Sequence, residues 1–351
     1  MSILRTVHLQ PPQLSSEYIK EKIVCIRAHR ERIFYVATQL YHGKLICHNY
    51  GQGGAGWTFL FGCVNESINQ FEQQLSYKNK TICVIGAGCY GLLTAAILAY
   101  KGYEVRIVAQ DCSNISSDKA AGFFFPRPRK TSTEYECEIF RSYGIQSYIA
   151  YLQIIKGIHP FISKGPKLLP AYFGLDIDPG FGPYIDRKIV KAPEHVTINF
   201  GNTKQYQAVE YQTVFINPSE IMAELRRVIT ELGVAITLQH ITDFDELEEA
   251  VIFNCTGLGA KILADDKRIV PVQGHLITLK NQPPAEQRQY MINVKRVPDP
   301  QHNKPRDQLI YYAPKDEGIL GITFIRGQDS LTANYHQFDE IIERAREYFG
   351  T

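Results

Sequence analysis

Residues 81–111 read TICVIGAGCYGLLTAAILAYKGYEVRIVAQD, and the fold turns on how this stretch is read. An apolar run, Thr81 to Ile85, meets Gly86-Ala87-Gly88-Cys89-Tyr90-Gly91, a Gly-x-Gly-x-x-Gly spacing. The pattern alone is weak. Here it follows a strand-like run, opens a helix-like one (Tyr90 to Tyr100) and precedes a second strand-like run, Glu104 to Val108. That context predicts a βαβ dinucleotide-binding unit. Gly86 permits the tight turn, Gly88 lets the backbone approach a pyrophosphate, and Gly91 lets helix pack on strand. The free N–H groups at the helix start then face the phosphates. The second strand ends in Gln110 and Asp111, either of which is placed to hydrogen-bond a ribose. This unit by itself leaves FAD and NAD open.

Upstream lies LICHNYGQGGAGWTFLFGC, residues 45–63, with Gly51, Gly53, Gly54 and Gly56 packed beside the only tryptophan of the 351 residues. After it, Trp57, Leu60, Phe61, Val64, Ile68, Phe71 and Leu75 recur at steps of three and four, one face of a helix. Strand-like runs precede it at Lys22–Arg27, Ile33–Val36 and Leu45–Cys47, and residues 1–19 read as irregular. Downstream, residues 111–186 read as loop-rich. Strands are expected at Glu210–Ile216, Val234–Leu238, residues 251–260, Val270–Leu279, Gln308–Ala313 and Gly318–Ile325. Helices are expected at Pro218–Leu232 and Ala333–Tyr348. The polar, Pro-rich stretch 280–307 reads as a lid or binding loop.

Composition excludes little but bounds the class. The chain is 44% hydrophobic and 21% charged, with a formal net charge of +2, so no nucleic-acid footprint is expected. No run approaches the roughly 18 apolar residues of a membrane span, and none resembles a signal peptide. The eight cysteines are scattered, with no Cys-x-x-Cys pair. They read as buried reduced thiols rather than a zinc site, and no metal is expected. A cytoplasmic protein is the default.

Four stretches together resemble the D-amino-acid oxidase family of flavoproteins: HNYGQGGAGWT (48–58), SSDKAAGFFFP (116–126), VIFNCTGLGA (251–260) and PVQGH (271–275). Their order differs from the family's. In the family the His-Asn-Tyr-Gly segment lies near the C-terminus and the nucleotide fingerprint near the N-terminus; here the closing segment comes first. SYKNK (76–80) joins it to the first strand, as a circular permutation would. Such a rearrangement is physically cheap where the original termini lie close together.

The resemblance implies an α/β fold: a Rossmann-like FAD-binding domain with a parallel sheet, plus a mixed, largely antiparallel substrate domain, in permuted order. The FAD-binding domain is expected over 42–125 and 206–274, the substrate domain over 20–41, 126–205 and 275–351. The implied activity is oxidation of an amino acid or related amine, the Cα hydride passing to flavin N5. Imino acid and hydrogen peroxide result, and molecular oxygen is the second substrate. The chemistry belongs to the cofactor, so no acid–base catalytic residue is expected. A homodimer is compatible with the resemblance.

By the resemblance, Arg27 takes the substrate carboxylate, a task suited to a planar guanidinium. Tyr311, favoured over Tyr312 in YYAP, also lines the substrate site. FAD is implied to contact Gly86, Ala87, Gly88, Gly91, Gln110, Asp111, Ser116, Ser117, Ala121, Gly122, Ile241, Thr256 and Gly257. It is also implied to contact His48, Gly53, Gly54, Ala55, Gly56, Trp57 and Thr58, where a helix N-terminus would stabilise negative charge on the flavin. Two departures matter: Ala28 replaces the family's proline after the arginine, and Ile322 replaces the second glycine of Leu-Gly-Gly. Phe324 stands where D-aspartate-specific relatives carry arginine, which favours a neutral or apolar substrate, although Arg326 shares that strand face. A flavin dehydrogenase with another electron acceptor, and a flavin-binding protein without turnover, remain alternative expectations.

Overall fold

The decisive stretch folds as its spacing predicts: Ile82–Ile85 is a strand, Cys89–Tyr100 a helix and Val105–Ala109 a strand. The computed structural model describes residues 4–113, 115–129, 132–202, 204–295 and 309–351. Part of the expected lid, 296–307, lies outside them. In chain order the first strands are β1 (Arg5–His8), β2 (Ile19–Arg30), β3 (Tyr35–Tyr41), β4 (Lys44–Tyr50), β5 (Ile82–Ile85) and β6 (Val105–Ala109). Then come β7 (Pro166–Phe173), β8 (Glu194–Asn199), β9 (Gln205–Ile216), β10 (Ile236–Leu238) and β11 (Val251–Asn254). The last are β12 (Ile269–Leu279), β13 (Met291–Lys295), β14 (Leu309–Ala313), β15 (Ile319–Gly321) and β16 (Ile325–Arg326). The helices are α1 (Gly56–Glu72), α2 (Cys89–Tyr100), α3 (Ser116–Lys119), α4 (Glu134–Ile155), α5 (Gly182–Asp186), α6 (Pro218–Glu231), α7 (Ala260–Leu263) and α8 (Tyr335–Phe349).

Six strands form one sheet in the order β10-β6-β5-β11-β4-β3. All neighbours are parallel except β3, which returns antiparallel on β4. The β3–β4 connection is His42-Gly43, both with positive φ (46° and 82°), the two-residue geometry that matches strand twist. The central strands are buried along their whole length, as in a parallel sheet covered on both faces. α1 packs on α2, α4, β3 and β4, with Phe59, Leu60, Phe61, Val64, Ile68 and Phe71 all buried. Each large apolar side chain so removed from water contributes on the order of 2 kcal/mol. Upstream turn and downstream fingerprint thus belong to one layer.

The other ten strands form a mixed sheet in the order β1-β8-β9-β7-β13-β14-β15-β12-β16, with β2 also paired to β12. α8 covers part of this sheet, burying Phe338, Ile341, Tyr348 and Phe349 against Tyr290, Tyr312 and Leu320. The β2–β12 ladder runs antiparallel from Ile269↔Arg30 to Thr278↔Glu21 and places Arg27 opposite Val272.

Three expectations need correction. Residues 1–19 are not wholly irregular, because Arg5–His8 adds a parallel strand to the β8 edge; that pairing is tertiary and leaves no local periodicity. Further on, Tyr290 donates its hydroxyl to Gln10 O at 2.6 Å and the Arg346 guanidinium donates to Leu14 O at 2.7 Å. Residues 111–186 hold the 22-residue helix α4 and the strand β7. Finally, β9 and β12, expected in large part within the nucleotide domain, pair in the ten-stranded sheet. Strand patterning reports which face is buried, not which neighbour is paired.

No helix among the described residues is long and apolar enough to cross a membrane, and no group of three potential metal ligands occurs among them. The eight cysteines are free thiols, five of them buried.

Candidate functional site

Two helix N-termini converge at the C-terminal edge of the six-stranded sheet. α2 begins after Gly88 with no side-chain cap of its own, and α1 begins at Gly56 after the single turn Gly53–Ala55. Tyr90 ties them, its hydroxyl donating to Gly56 O at 2.8 Å. The Trp57 indole donates to Ser117 O at 3.3 Å, and Ser117 Oγ accepts from Cys89 N–H at 3.1 Å. Ser116 Oγ donates to Ile26 O at 2.9 Å, binding this corner to β2. Gly86, Ala87, Gly88, Gly91, Gly53 to Thr58, Ser116 and Ser117 are therefore brought together.

The glycines are dictated by contact. Gly86 has φ of 108°, and a Cβ there would sit 2.7 Å from Cys255 O. At Gly91 a Cβ would sit 1.8 Å from Gly86 O. The turn and the helix can approach this closely only without side chains. Gln110 and Asp111 are both exposed just past β6, at the strand end where a ribose would be reached.

Other expected residues have different surroundings. Gly122 has φ of 93° and packs against β9, where a Cβ would lie 1.7 Å from Ile216 O. Thr58 Oγ1 accepts from Phe125 N–H at 3.1 Å, pinning the buried segment that contains Ala121. Thr256 Oγ1 donates to Asn254 Oδ1 at 2.7 Å, and Gly257 lies beside Ala28. The Ile241 side chain packs among Cys83, Ile85, Val108 and Phe244.

His48 lies inside the sheet. It is 1% exposed, with Nε2 3.2 Å from Gln39 Oε1 and Nδ1 3.3 Å from Asn254 Nδ2. The Asn254 amide donates to Nδ1, so the proton is on Nε2 and both nitrogens are engaged by protein. Burial pushes its pKa down from 6.5 to about 4. The stability linked to keeping this ring neutral is full above pH 6.5 and is lost as pH falls toward 4, because the unfolded chain takes the proton first. The expected loss is about 3 kcal/mol. It is read as a drop in melting temperature over that window that is smaller in His48→Gln. His29 and His159, also pushed down to about 4 by burial, act in the same direction.

Arg27 stands at the mouth of this corner, where β2 faces the glycine turn. Its side chain passes between Gly274 and Gly54: a Cβ on Gly274 would lie 2.0 Å from Nη2, and one on Gly54 would lie 3.5 Å from Cδ. Nη1 donates to Thr323 O at 3.0 Å, while Nη2 is buried and has no partner among the described residues. The guanidinium lies 4.7 Å from the centre of the Phe324 ring, a cation–π contact. Burial lowers its pKa, and Cys25 and Tyr311 oppose that shift. A buried, unpaired cationic nitrogen is costly unless a ligand supplies the missing acceptor.

Tyr311 and Tyr312 point to opposite faces of β14, as strand alternation requires. Tyr311 packs on Phe123 at 4.5 Å and shares the electrostatic field of Arg27. Tyr312 is fully buried in the other core, against Tyr290 and Phe349, so the expectation that it lines the substrate site is corrected. Ile322 packs, half-buried, against the core that holds Tyr311 and Phe123. Arg30, by contrast, is structural: its Nε donates to Asp266 at 2.6 Å, and Tyr50 Oη donates to the same carboxylate at 3.1 Å. Sequence reading missed Tyr90 and Thr323. Gly274 stood within PVQGH, but nothing local marked it as the space for a guanidinium.

The α2 start, the left-handed Gly86 and the glycine turn opening α1 make an extended cradle, in which Ser117 Oγ already engages the Cys89 N–H. This set of helix-start N–H groups and close-packed glycines fits FAD.

The site and fold define a class, that of two-sheet flavin-dependent oxidoreductases. The chain belongs to the DAO family of FAD dependent oxidoreductases, whose sequence profile matches residues 81–351. It is 25% identical over 211 residues to the D-amino-acid oxidase of Streptomyces coelicolor, covering 57% of this chain and 59% of that protein. It is 26% identical over 214 residues to human D-aspartate oxidase, again covering 59% of the relative. The chain thus spans less than two thirds of the length of these relatives. Among solved structures it resembles glycine oxidase from Bacillus cereus (TM-score 0.52, 15% identity, 76% of this chain and 77% of that one). It also resembles L-proline dehydrogenase from P. horikoshii (TM-score 0.53, 14% identity, 77% and 76%). At such identities these likenesses establish the fold alone.

Proposed function

We propose that the protein is an FAD-dependent oxidase of an amino acid or related amine, with molecular oxygen as electron acceptor and hydrogen peroxide and an imino acid as products. The observation that carries this reading is Arg27: a half-buried arginine whose Nη2 is itself buried and has no partner among the described residues, beside the glycine turn. FAD, when bound, supplies the two-electron oxidation as acceptor of the Cα hydrogen. Arg27 holds the carboxylate and so fixes the Cα against the turn. Tyr311, Phe123 and Ile322 exclude water and favour a neutral or apolar side chain.

The same proposal includes the permuted order. The family profile begins at residue 81, while the glycine turn lies before it, in the same sheet. α1 ends at Glu72 and β5 begins at Ile82, which supports a short join between old termini. The FAD-binding and substrate domains follow the two sheets.

Anaerobic titration of the yellow protein with neutral D-amino acids should bleach the flavin, and air should restore colour with stoichiometric peroxide. Bleaching without peroxide on readmitting air would select a dehydrogenase. A second reading, flavin binding without turnover, draws on the half-buried Ile322; failure of every amino acid and amine to bleach the flavin would select it.

A further inference from the structure

We propose that His275 is a positioning residue for Arg27, acting through Thr323; the inference rests on the reading of Arg27 as a carboxylate-binding group. β12 pairs with β15 as far as Leu276↔Gly321 and with β16 from Gln273↔Ile325, so residues 322–324 leave the ladder between them. His275 fills that gap. It is fully buried, its backbone N–H donates to Thr323 Oγ1 at 3.0 Å, and its Nδ1 lies 2.8 Å from the same oxygen. Its Nε2 accepts from Asn334 N–H at 3.4 Å, at the cap of α8, and its ring packs edge-on against Phe338 at 4.9 Å.

The protonation state follows from the partners. A peptide N–H can only donate, so Nε2 carries a lone pair and the neutral ring carries its proton on Nδ1. Nδ1–H therefore donates to Thr323 Oγ1, and that hydroxyl oxygen receives two donors from one residue. Burial, and then the neighbouring Arg27 charge, push the imidazole pKa down, in keeping with a neutral ring. With Thr323 held at its side chain, its carbonyl has a set direction, and it is this carbonyl that accepts from Arg27 Nη1. Holding Nη1 leaves Nη2 as the nitrogen presented to a ligand. His275 touches neither ligand nor cofactor; it sets which edge of the guanidinium is offered.

The test is calorimetric binding of benzoate, a carboxylate with no oxidisable α-hydrogen, to the FAD-loaded protein, with flavin content and melting temperature recorded for each variant. Thr323→Val keeps the shape but removes the acceptor, and is expected to weaken benzoate about tenfold or more. Thr323→Ser should return the affinity to within about threefold of wild type, because it restores the hydroxyl. His275→Leu should behave like Thr323→Val, and His275→Asn, whose amide nitrogen can replace Nδ1–H, like Thr323→Ser. The histidine pair carries the comparison if Thr323→Val does not fold. Benzoate binding unchanged in Thr323→Val or His275→Leu, or a loss that Ser and Asn fail to restore, overturns the inference while Arg27→Ala still abolishes binding. Wild-type protein that binds no benzoate, or Arg27→Ala that binds as wild type, overturns the Arg27 reading and the inference with it.

Discussion

Gly91→Ala is expected to purify colourless, or not to fold at all. The added methyl would meet Gly86 O at 1.8 Å, Gly86 C at 2.8 Å and Val84 Cγ1 at 3.5 Å. The first two are backbone atoms of the turn itself, so relief requires moving α2 away from β5 or distorting the left-handed Gly86. Overpacking of this kind costs about 3 kcal/mol or more. The displacement falls on the helix start that offers N–H groups to a pyrophosphate, so flavin affinity and stability should fall together. The flavin-to-protein absorbance ratio and the melting temperature measure both. Gly182→Ala is the control, because it has ordinary φ and nothing within 4 Å of the added carbon. Full flavin content in Gly91→Ala would show that the turn–helix contact does not form the cofactor cradle.

Arg27→Ala is the second large effect, and it should separate from the first. Affinity for carboxylate ligands, and kcat/KM for any amino-acid substrate, are expected to fall on the order of 10²–10³-fold. Bound flavin should stay near the wild-type level, because the guanidinium hydrogen-bonds Thr323 and stacks on Phe324, and it meets the glycine turn only by packing on Gly54. Arg27→Lys should recover little: an ammonium is a point charge, and it cannot hold the Thr323 carbonyl while presenting a second planar donor. Unchanged kinetics in Arg27→Ala would remove this residue from the site.

How much of this was legible in the chain depended on whether the signal was local. The fingerprint at 81–111 was legible because each glycine answers a contact within one βαβ unit. The α1 face was legible because Phe61, Val64, Ile68 and Phe71 keep helical spacing. α4 escaped, since its apolar positions are diluted by Tyr, Ser and Gly and its buried face is aromatic. Its start was nonetheless marked: Thr133 and Glu136 form a reciprocal capping box, with bonds of 2.8 and 3.2 Å, and Thr-x-x-Glu is the signature for it. β8, mostly polar as EHVTIN, carried no apolar run, and β13 (Met291–Lys295) lies within the polar, Pro-rich stretch read as a lid, so that expectation fails for residues 291–295. The site followed the same rule. Arg27 came from a stretch with a recognisable pattern, whereas His275 and Thr323 matter through a meeting of residues 48 positions apart in the chain. Tyr311 and Tyr312 are adjacent and chemically alike, so only the strand's facing separates them.

The strand order also governs how the protein can be made. β4 and β5 both pair with β11 and not with each other. Both are synthesised before the strand that must lie between them, residues 251–254. During synthesis the two early hairpin and βαβ pieces therefore wait with facing sheet edges open, until about 140 further residues have followed β6. Open, apolar strand edges are the sites at which nascent chains pair wrongly. Because the glycine turn precedes the βαβ unit, α1 and α2 are synthesised close together, while the central staple of their sheet follows much later. Folding yield should consequently depend more on synthesis rate and chaperone access than on the stability of the finished sheet.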